Sequence, residues 1–469
     1  MKRLLTRRLD LWLPSYIAAA AERYRLRSWR ARALTHVLFF VCDHFEPQHG
    51  VLSFDQGRQR VRRWHAGYKE FQDECFRQSG LRPVHTWFYP PHHGLEHLAP
   101  LAHMAFDGLG EVELHYHHEN DTDESLRTNL AGTLRDFNRA GLLLQSGEPP
   151  RRSFGFIHGN WALDNSAGGR FCGVNSELTI LQELGCWGDL TMPSANECQT
   201  RKINSIYYAL DDPAQPKSHN WGVDARAGAP SPDGLLMIQG PLALNFRAPS
   251  HPRIENASLT SANWARPDRM RAWLDCHVHV RGRPEWLFIK LHTHGAIERD
   301  FDALFGEKAR AMHQMLATNL NDNRRYKLHY VSARQAFNVI KAAEAGRDGD
   351  PSDFYDYQIG RQTTSYYCLD TPHDLSCCWG DRLVVSNIEA ARAATLRLRT
   401  PRLTITGPLR SCTVDRRTAS VHLEVHPDST HLPLEIDGSA PASIEGGTVR
   451  SDGAGRLLVD SAASVRLQY

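Results

Sequence analysis

The chain reads as an α/β protein in which parallel strands alternate with helices, followed by a small all-β domain. Three observations predict this. Between residues 37 and 345, short apolar runs alternate with longer helix-compatible stretches, the rhythm of βαβ units. Four of the apolar runs end directly in groups of His, Asp and Glu, as strands sharing one C-terminal edge would. From about residue 380 the pattern becomes short alternating runs, several of them separated by Gly and Pro, the signature of a sandwich. The number of βαβ units suits a closed or nearly closed barrel.

Residues 1–32 come first and are basic, with nine Lys/Arg against two Asp/Glu. With Leu9, Leu11, Trp12, Leu13, Tyr16 and Ile17 nearby, this segment could rest on an anionic membrane surface. A solvated helix leading into the domain is the plainer reading.

Val37–Val41 is the first strand and runs straight into Cys42, Asp43 and His44. A carboxylate and an imidazole at the end of a buried strand need partners. A helix is expected from Gln56 to Gln78, a second strand over 82–89 stopped by Pro90-Pro91, and a helix over 95–106. Glu111–His115 is the third strand, 124–140 a helix and Ser153–Ile157 the fourth strand. Ser176 is a candidate N-cap for a helix over 177–184, ended by Gly185. Strands follow at 186–192 and 286–291, a helix at 309–320, a strand at 328–331 and a helix at 333–345. Residues 193–280 are rich in Pro, Asn, Asp and Gly and read as an insertion near the active face. The expected organisation is therefore a basic segment 1–32, a barrel domain 33–345 with the insertion 193–280, a linker 346–379 and a β domain 380–469.

The formal net charge of +2 gives no general case for nucleic acid, and no RNA or zinc-finger motif is visible. Ten cysteines are scattered without a CxxC pair, which fits reduced thiols in a cytosolic protein. No apolar h-region or spanning run is present, so a cytoplasmic location is expected, with membrane association through the basic segment as a variant.

Histidine is the informative excess, with 25 in the chain. The four polar groups are Asp43-His44, "ELHYHHEND" (113–121), "FIHGNWALDNS" (156–166) and "IKLHTHGA" (289–296). Parallel strands would bring their ends together on one face. His292 and His294 alternate and so share a side of their strand. Cys42 and His44 likewise share a face, and Asp43 points the other way if the strand continues. Imidazole and carboxylate donors suit Zn²⁺, Fe, Co or Ni better than Mg²⁺.

The order of these motifs resembles the NodB-type polysaccharide deacetylases, a carbohydrate esterase group within the glycoside hydrolase/deacetylase barrels. The family's T-F-D-D-G slot is Val41-Cys-Asp-His-Phe45 here. Its A-T-F-F strand is His85-Thr-Trp-Phe88, and its first metal histidine falls on His115. Its L-x-x-L-G-Y helix is Leu181–Cys186, and its last L-x-H motif is Leu291-His292 within Ile289–His292. The resemblance covers roughly residues 35–345 and implies a distorted (β/α)7 barrel and a divalent metal, zinc above all.

It further implies Asp43 as general base, His292 as general acid and His44 in the place of an acidic metal ligand. His115 would ligate together with one of His117, His118 or Glu119. The family's Arg-x-x-x-Gly motif is absent, and His158, Asn160 and Trp161 stand there instead. Trp87, Tyr89, Trp161, His158, Asn160 and His294 are candidate substrate contacts. The implied activity is removal of acetyl groups from an N-acetylated sugar or polysaccharide precursor. The competing readings are a glycoside hydrolase or lyase, with Asp43 paired to Asp189, Glu119 or Asp164, and a carbohydrate-binding protein without catalysis.

Overall fold

Eleven residues, Thr35–Phe45, form the central strand β1, and every one of them is buried. The computed structural model describes residues 7–50, 53–145, 151–248 and 252–360. Beyond these it describes 366–368, 376–378, 382–386, 394–399, 402–407, 409–415, 418–425, 434–451, 456–460 and 464–469. Parts of the expected basic segment (1–6) and linker (361–365, 369–375 and 379) lie outside the described residues.

Nine further strands complete the sheet: β2 His85–Tyr89, β3 Gly110–Tyr116, β4 Phe154–His158, β5 Cys186–Asp189, β6 Ile206–Ala209, β7 Val223–Asp224, β8 Leu235–Ile238, β9 Trp286–Gly295 and β10 Tyr326–Tyr330. Their order is β9-β1-β2-β3-β4-β5-β8-β6-β7, with β10 beside β1. β10 pairs with residues 35–39 of β1 and β2 with residues 42–44, so two strands follow one another along one edge. Pairing is parallel from β9 through β8 and antiparallel at β8–β6–β7.

Besides a single turn at Phe301–Leu304, the described helices are α1 Leu9–Ala18, α2 Ala20–Arg30, α3 Phe54–Ser79, α4 Leu98–Phe106, α5 Asp123–Arg139, α6 Glu177–Glu183, α7 Pro267–Cys276, α8 Glu307–Leu320 and α9 Ala333–Glu344. Their starts are locally encoded. Ser53 and Gln56 form a capping box on α3, as Ser332 and Gln335 do on α9. α3 ends at Gly80, whose φ of 73° suits a left-handed cap. At α6 the expected cap differs: the Ser176 hydroxyl makes no cap bond and donates to Asp123 Oδ2.

The α/β class and the mostly parallel sheet are as expected, but the strand ladder does not close into a barrel. Among the described residues, no ladder joins β9 to β8 or β6. The free edge of β9 is met instead by irregular backbone. His292 N–H donates to Ala257 O, Leu259 N–H to His292 O, and Phe288 N–H to Val278 O. Residues 193–280 are thus more than an insertion, because they supply β6, β7 and β8 and cover that edge.

Alternation along β1 divides two environments. Leu38, Phe40 and Cys42 pack with Phe88, Ile157, Trp187, Leu236 and Phe288, and with Phe337 and Ile340 of α9, in the main core. Each large apolar side chain buried there contributes about 1.5–3 kcal/mol. Phe39 points the other way, against Trp273 and Tyr330. The N-terminal helices are anchored to the domain: Trp12 is buried with Ala195, Ile203 and Leu242, and Arg30 donates to Leu274 O and bonds to Asp275. No described helix is long and apolar enough to cross a membrane.

The chain divides into two compact units. One comprises Met1–His93, Leu109–Ala131 and Ser153–Gly360, and the other Gly94–Gly108, Gly132–Arg152 and Arg361–Tyr469. The C-terminal part of the second unit holds two six-stranded antiparallel sheets. Leu403, Ile405, Val414, Leu423, Ile436 and Val465 come from both sheets and share one core, the architecture of a sandwich.

Candidate active site

β1 stays extended through Asp43 and His44, so the two side chains leave opposite faces of the sheet. Asp43 lies on the outer face. Its Oδ2 accepts from His85 Nε2 at 3.0 Å and its Oδ1 from the Gly295 N–H. His85 Nδ1 in turn lies 3.1 Å from the Tyr68 hydroxyl, which donates to it. Asp43 is therefore fully engaged away from the inner face.

The inner face collects the imidazoles. Register sets Cys42 beside His292 and His44 beside His294. On β3 the same alternation, carried just past the strand end, puts His115 and His117 together with their Nε2 atoms 2.9 Å apart. Glu46 lies one residue beyond β1 and completes the group. Its Oε1 is 3.7 Å from His115 Nε2 and 3.8 Å from His117 Nε2, and its Oε2 accepts from His294 Nδ1 at 3.2 Å. The donor atoms of Glu46, His115 and His117 all lie within 4.8 Å of one another. The His44 ring centroid sits 4.5 Å from that of His115 and 4.8 Å from that of His294.

His115 Nδ1–H donates to Ile157 O at 2.9 Å. That bond fixes the tautomer and leaves a lone pair on Nε2, the arrangement expected of a metal-ligating histidine. His44 Nε2 is buried with no hydrogen-bond partner among the described residues. Two imidazoles, a carboxylate and an unpartnered nitrogen beside them fit a zinc-type divalent ion.

The electrostatics follow from crowding and burial. Burial pushes the Glu46 carboxyl up, but the imidazoles of His115, His117 and His294 around it outweigh that and hold it well below the usual carboxylate range. Burial holds His44 well below the usual histidine value, helped by His115, His294 and His292. His292 is lowered in the same way by burial and by Lys290. Nearby, His92 is lowered to about 4 and His93 to about 3, burial again leading.

The remaining candidates fall elsewhere. His118 and His158 leave this group and meet Glu177, with Nε2 atoms 2.9 Å apart. Glu119 and Asn160 are exposed. Trp87 is buried against Phe45, Tyr68 and His85, and Tyr89 is fully buried, so neither ring is open to a substrate. Trp161 does reach the site: its ring lies 6.0, 6.2 and 6.1 Å from those of His44, His292 and His294. Asn160 and Trp161 hold φ of 54° and 58°, an uncommon conformation for non-glycine residues that clusters at functional sites. Sequence reasoning missed Glu46 and the flanking His92 and His93. Continuing the alternation from Cys42 through His44 would have found Glu46.

No family model and no curated protein matches the chain. Eight chains of known structure do match. One, assigned as a polysaccharide deacetylase from Mycobacterium smegmatis, is 14% identical with a TM-score of 0.36, over 66% of this chain and 91% of that one. A GH57 branching enzyme from Thermococcus kodakaraensis is 12% identical with a TM-score of 0.28, over 61% and 68%. A protein assigned as a glycoside hydrolase/deacetylase from Parabacteroides distasonis is 10% identical with a TM-score of 0.32, over 86% and 85%.

Proposed function

We propose that the chain is a metal-dependent hydrolase that removes an acyl group, most simply the acetyl of an N-acetylated sugar or polysaccharide precursor. The observation that carries this reading is the convergence of Glu46, His115 and His117 on one point, with His115 Nδ1 tied to Ile157 O so that Nε2 faces inward. These three residues would hold the metal and leave a fourth position open to water. A zinc ion held there would polarise an acyl carbonyl and make water nucleophilic at neutral pH.

The chain's own residues divide the remaining work. His294 donates to Glu46 and fixes the carboxylate's orientation. His292 is neutral at pH 7 because burial and Lys290 disfavour its charged form. The neutral ring has a lone pair that can take the proton of the attacking water and return it to the leaving nitrogen once the forming charge on the substrate compensates the imidazolium. Trp161 offers an apolar face on which a sugar ring can stack. Asp43 is assigned no proton step, because His85 and Gly295 occupy both its oxygens.

A glycosidase would need two carboxylates about 5–10 Å apart on the site. The candidates for such a pair are turned elsewhere. Asp43 faces His85, Asp189 accepts from Thr191, Asp164 accepts from Ser218, and Glu119 is exposed. The acyl hydrolase is accordingly the favoured reading.

The test is acetate release from N-acetylated oligosaccharides by the full chain, before and after chelation. Glu46→Gln and His115→Gln are expected to lose activity by at least about a hundredfold. Unchanged turnover in both variants, or full turnover after complete metal removal, would overturn the reading.

A further inference from the structure

Beside the site just described, a second group of side chains meets in a closed pocket. His118 follows the end of β3, His158 ends β4, Cys172 lies in the loop after it, and Glu177 opens α6. One donor atom from each lies within 4.8 Å of the other three. His158, Cys172 and Glu177 are fully buried, and the His118 side chain is 4% exposed.

Hydrogen bonds fix how these groups face each other. His118 Nδ1 lies 3.0 Å from Asp121 Oδ2, and His158 Nδ1 lies against Gly159 O. A carboxylate and a carbonyl can only accept, so both Nδ1 atoms carry the proton. In the neutral rings both Nε2 atoms are then bare, and they face each other at 2.9 Å. Glu177 Oε1 stands 3.1 Å from one and 3.4 Å from the other. Three acceptors thus converge on one point without a donor among them. The Cys172 sulfur joins them: it accepts from the Val174 N–H, and as a thiol its S–H donates to Val174 O at 3.4 Å or Glu177 Oε2 at 3.5 Å, the proton that a metal would replace.

We infer that His118, His158, Cys172 and Glu177 form a second, closed metal site that takes a zinc-type ion for structure. Four ligands with no open position are the mark of structural zinc, and ligand atoms around such an ion are roughly 3.3–3.8 Å apart. The bonds from His118 to Asp121 and from His158 to Gly159 are the outer contacts that orient ligating imidazoles. The bare Nε2 atoms need a positive charge between them, which one proton shared as an imidazolium supplies only in part.

The consequence is mechanical. The ion would clip the 159–177 loop to the ends of β3 and β4. That loop carries Trp161 and holds five non-glycine residues, Asn160, Trp161, Asp164, Asn165 and Phe171, at positive φ. Such backbone persists where its surroundings over-determine it. This site is independent of the acyl-hydrolase reading and has a signature that reading lacks, a thiolate ligand.

The experiment is to strip the full chain of metal, reload it with Co²⁺ and record the near-ultraviolet thiolate-to-cobalt charge-transfer band, alongside metal analysis of the protein as purified. The wild type is expected to show the band. Cys172→Ser should lose it together with about one metal equivalent per chain. His158→Gln, which keeps the sulfur, should weaken cobalt binding at this band by at least about tenfold. Glu46→Gln should leave the band intact, so failure at the other site is told apart. Absence of the band in the wild type, or its persistence unchanged in Cys172→Ser, would overturn the inference. Should Cys172→Ser fail to fold, an unweakened band in His158→Gln overturns it equally. Wild-type metal content equal to that of folded Cys172→Ser would mean that a proton alone holds the cluster.

Discussion

Gly159 presses its α-carbon against the imidazole of His117: a Cβ built there would lie 2.4 Å from the ring Cγ and 2.6 Å from Nδ1. Real Cβ atoms do not approach that closely, so any side chain at 159 must push His117 away. Gly159→Ala is therefore expected to fold, with an overpacking cost of about 1–3 kcal/mol, and to lose metal affinity at the Glu46 site by at least about tenfold. Isothermal titration with zinc on the Cys172→Ser background would isolate that site. Unchanged affinity would show that His117 is not a ligand.

Asp43 and Glu46 are separated by three positions and by the thickness of the sheet. Asp43→Asn can keep its bond from Gly295 and reverse the one to His85, because the imidazole can change tautomer. It is expected to cost about 1–2 kcal/mol in stability and to leave kcat within about threefold. Asp43→Ala would leave the Gly295 N–H and His85 unpartnered and should cost more. If Asp43→Asn kept its stability but lost a hundredfold in kcat, the base role would return to Asp43.

Lys290 is buried inside the sheet, and its ammonium donates to Leu190 O and Met192 O. It spans from β9 to the segment after β5, where among the described residues no strand ladder connects the two sides. Lys290→Met keeps the length of the stem but leaves two buried carbonyls without this donor. The expected loss is about 2–5 kcal/mol, read as a lower urea midpoint for the first unit. A loss under 0.5 kcal/mol, by order of magnitude, would mean that water replaces the amine.

His277 sets a pH dependence far from the candidate site. Its Nδ1 accepts from Arg30 at 2.8 Å and its Nε2–H donates to Pro284 O at 2.8 Å, so the ring is held neutral. Burial, then His279 and Arg30, lower its pKa to about 2. The unfolded ring titrates near 6.5. Its contribution to stability is therefore complete above that value and declines as pH falls below it, down to the folded value. At pH 5 the loss relative to pH 7 is about 2 kcal/mol. His277→Asn tolerates the positive φ of 47° at this helix end and does not titrate. Its Tm should therefore fall less than the wild type's between pH 7 and pH 5, and a parallel fall would refute the assignment.

Much of the fold was legible because its signals are periodic. The run from Val37 through Val41 and the stripe Val61, Trp64, Tyr68, Phe71, Cys75 on α3 declare a strand and a helix with no further information. Closure of the sheet was not legible. It depends on whether 257–259 and 278 meet β9 as strands or as irregular backbone, and short polar segments carry no periodicity to decide that. Within the site, the shared side of His292 and His294 was readable from strand alternation, and His115 from the resemblance. His117 and His118 were grouped as equivalents, although neighbours at a strand end face opposite ways, and the structure gives them to different clusters. Cys172 and Glu177 had no signal at all: a loop of left-handed residues brings them together, and no fixed spacing records it.

The pairing of β1 with β9 has a consequence for how this protein can change. Because His44 faces His294 and Cys42 faces His292, the two histidines of β9 sit two positions apart, on one face, near the end of a ladder ten residues long. Inserting or deleting one residue before Trp286 would exchange His292 and His294 for Leu291, Thr293 and Gly295, and would drive imidazoles into the layer where Asp43 meets Gly295. A change of two residues would restore the facing. Restored facing is not restored register, since a two-residue shift still moves each imidazole about 6.6 Å along the strand, away from His44 and Glu46; both the parity and the length of the chain before Trp286 are therefore fixed by the site.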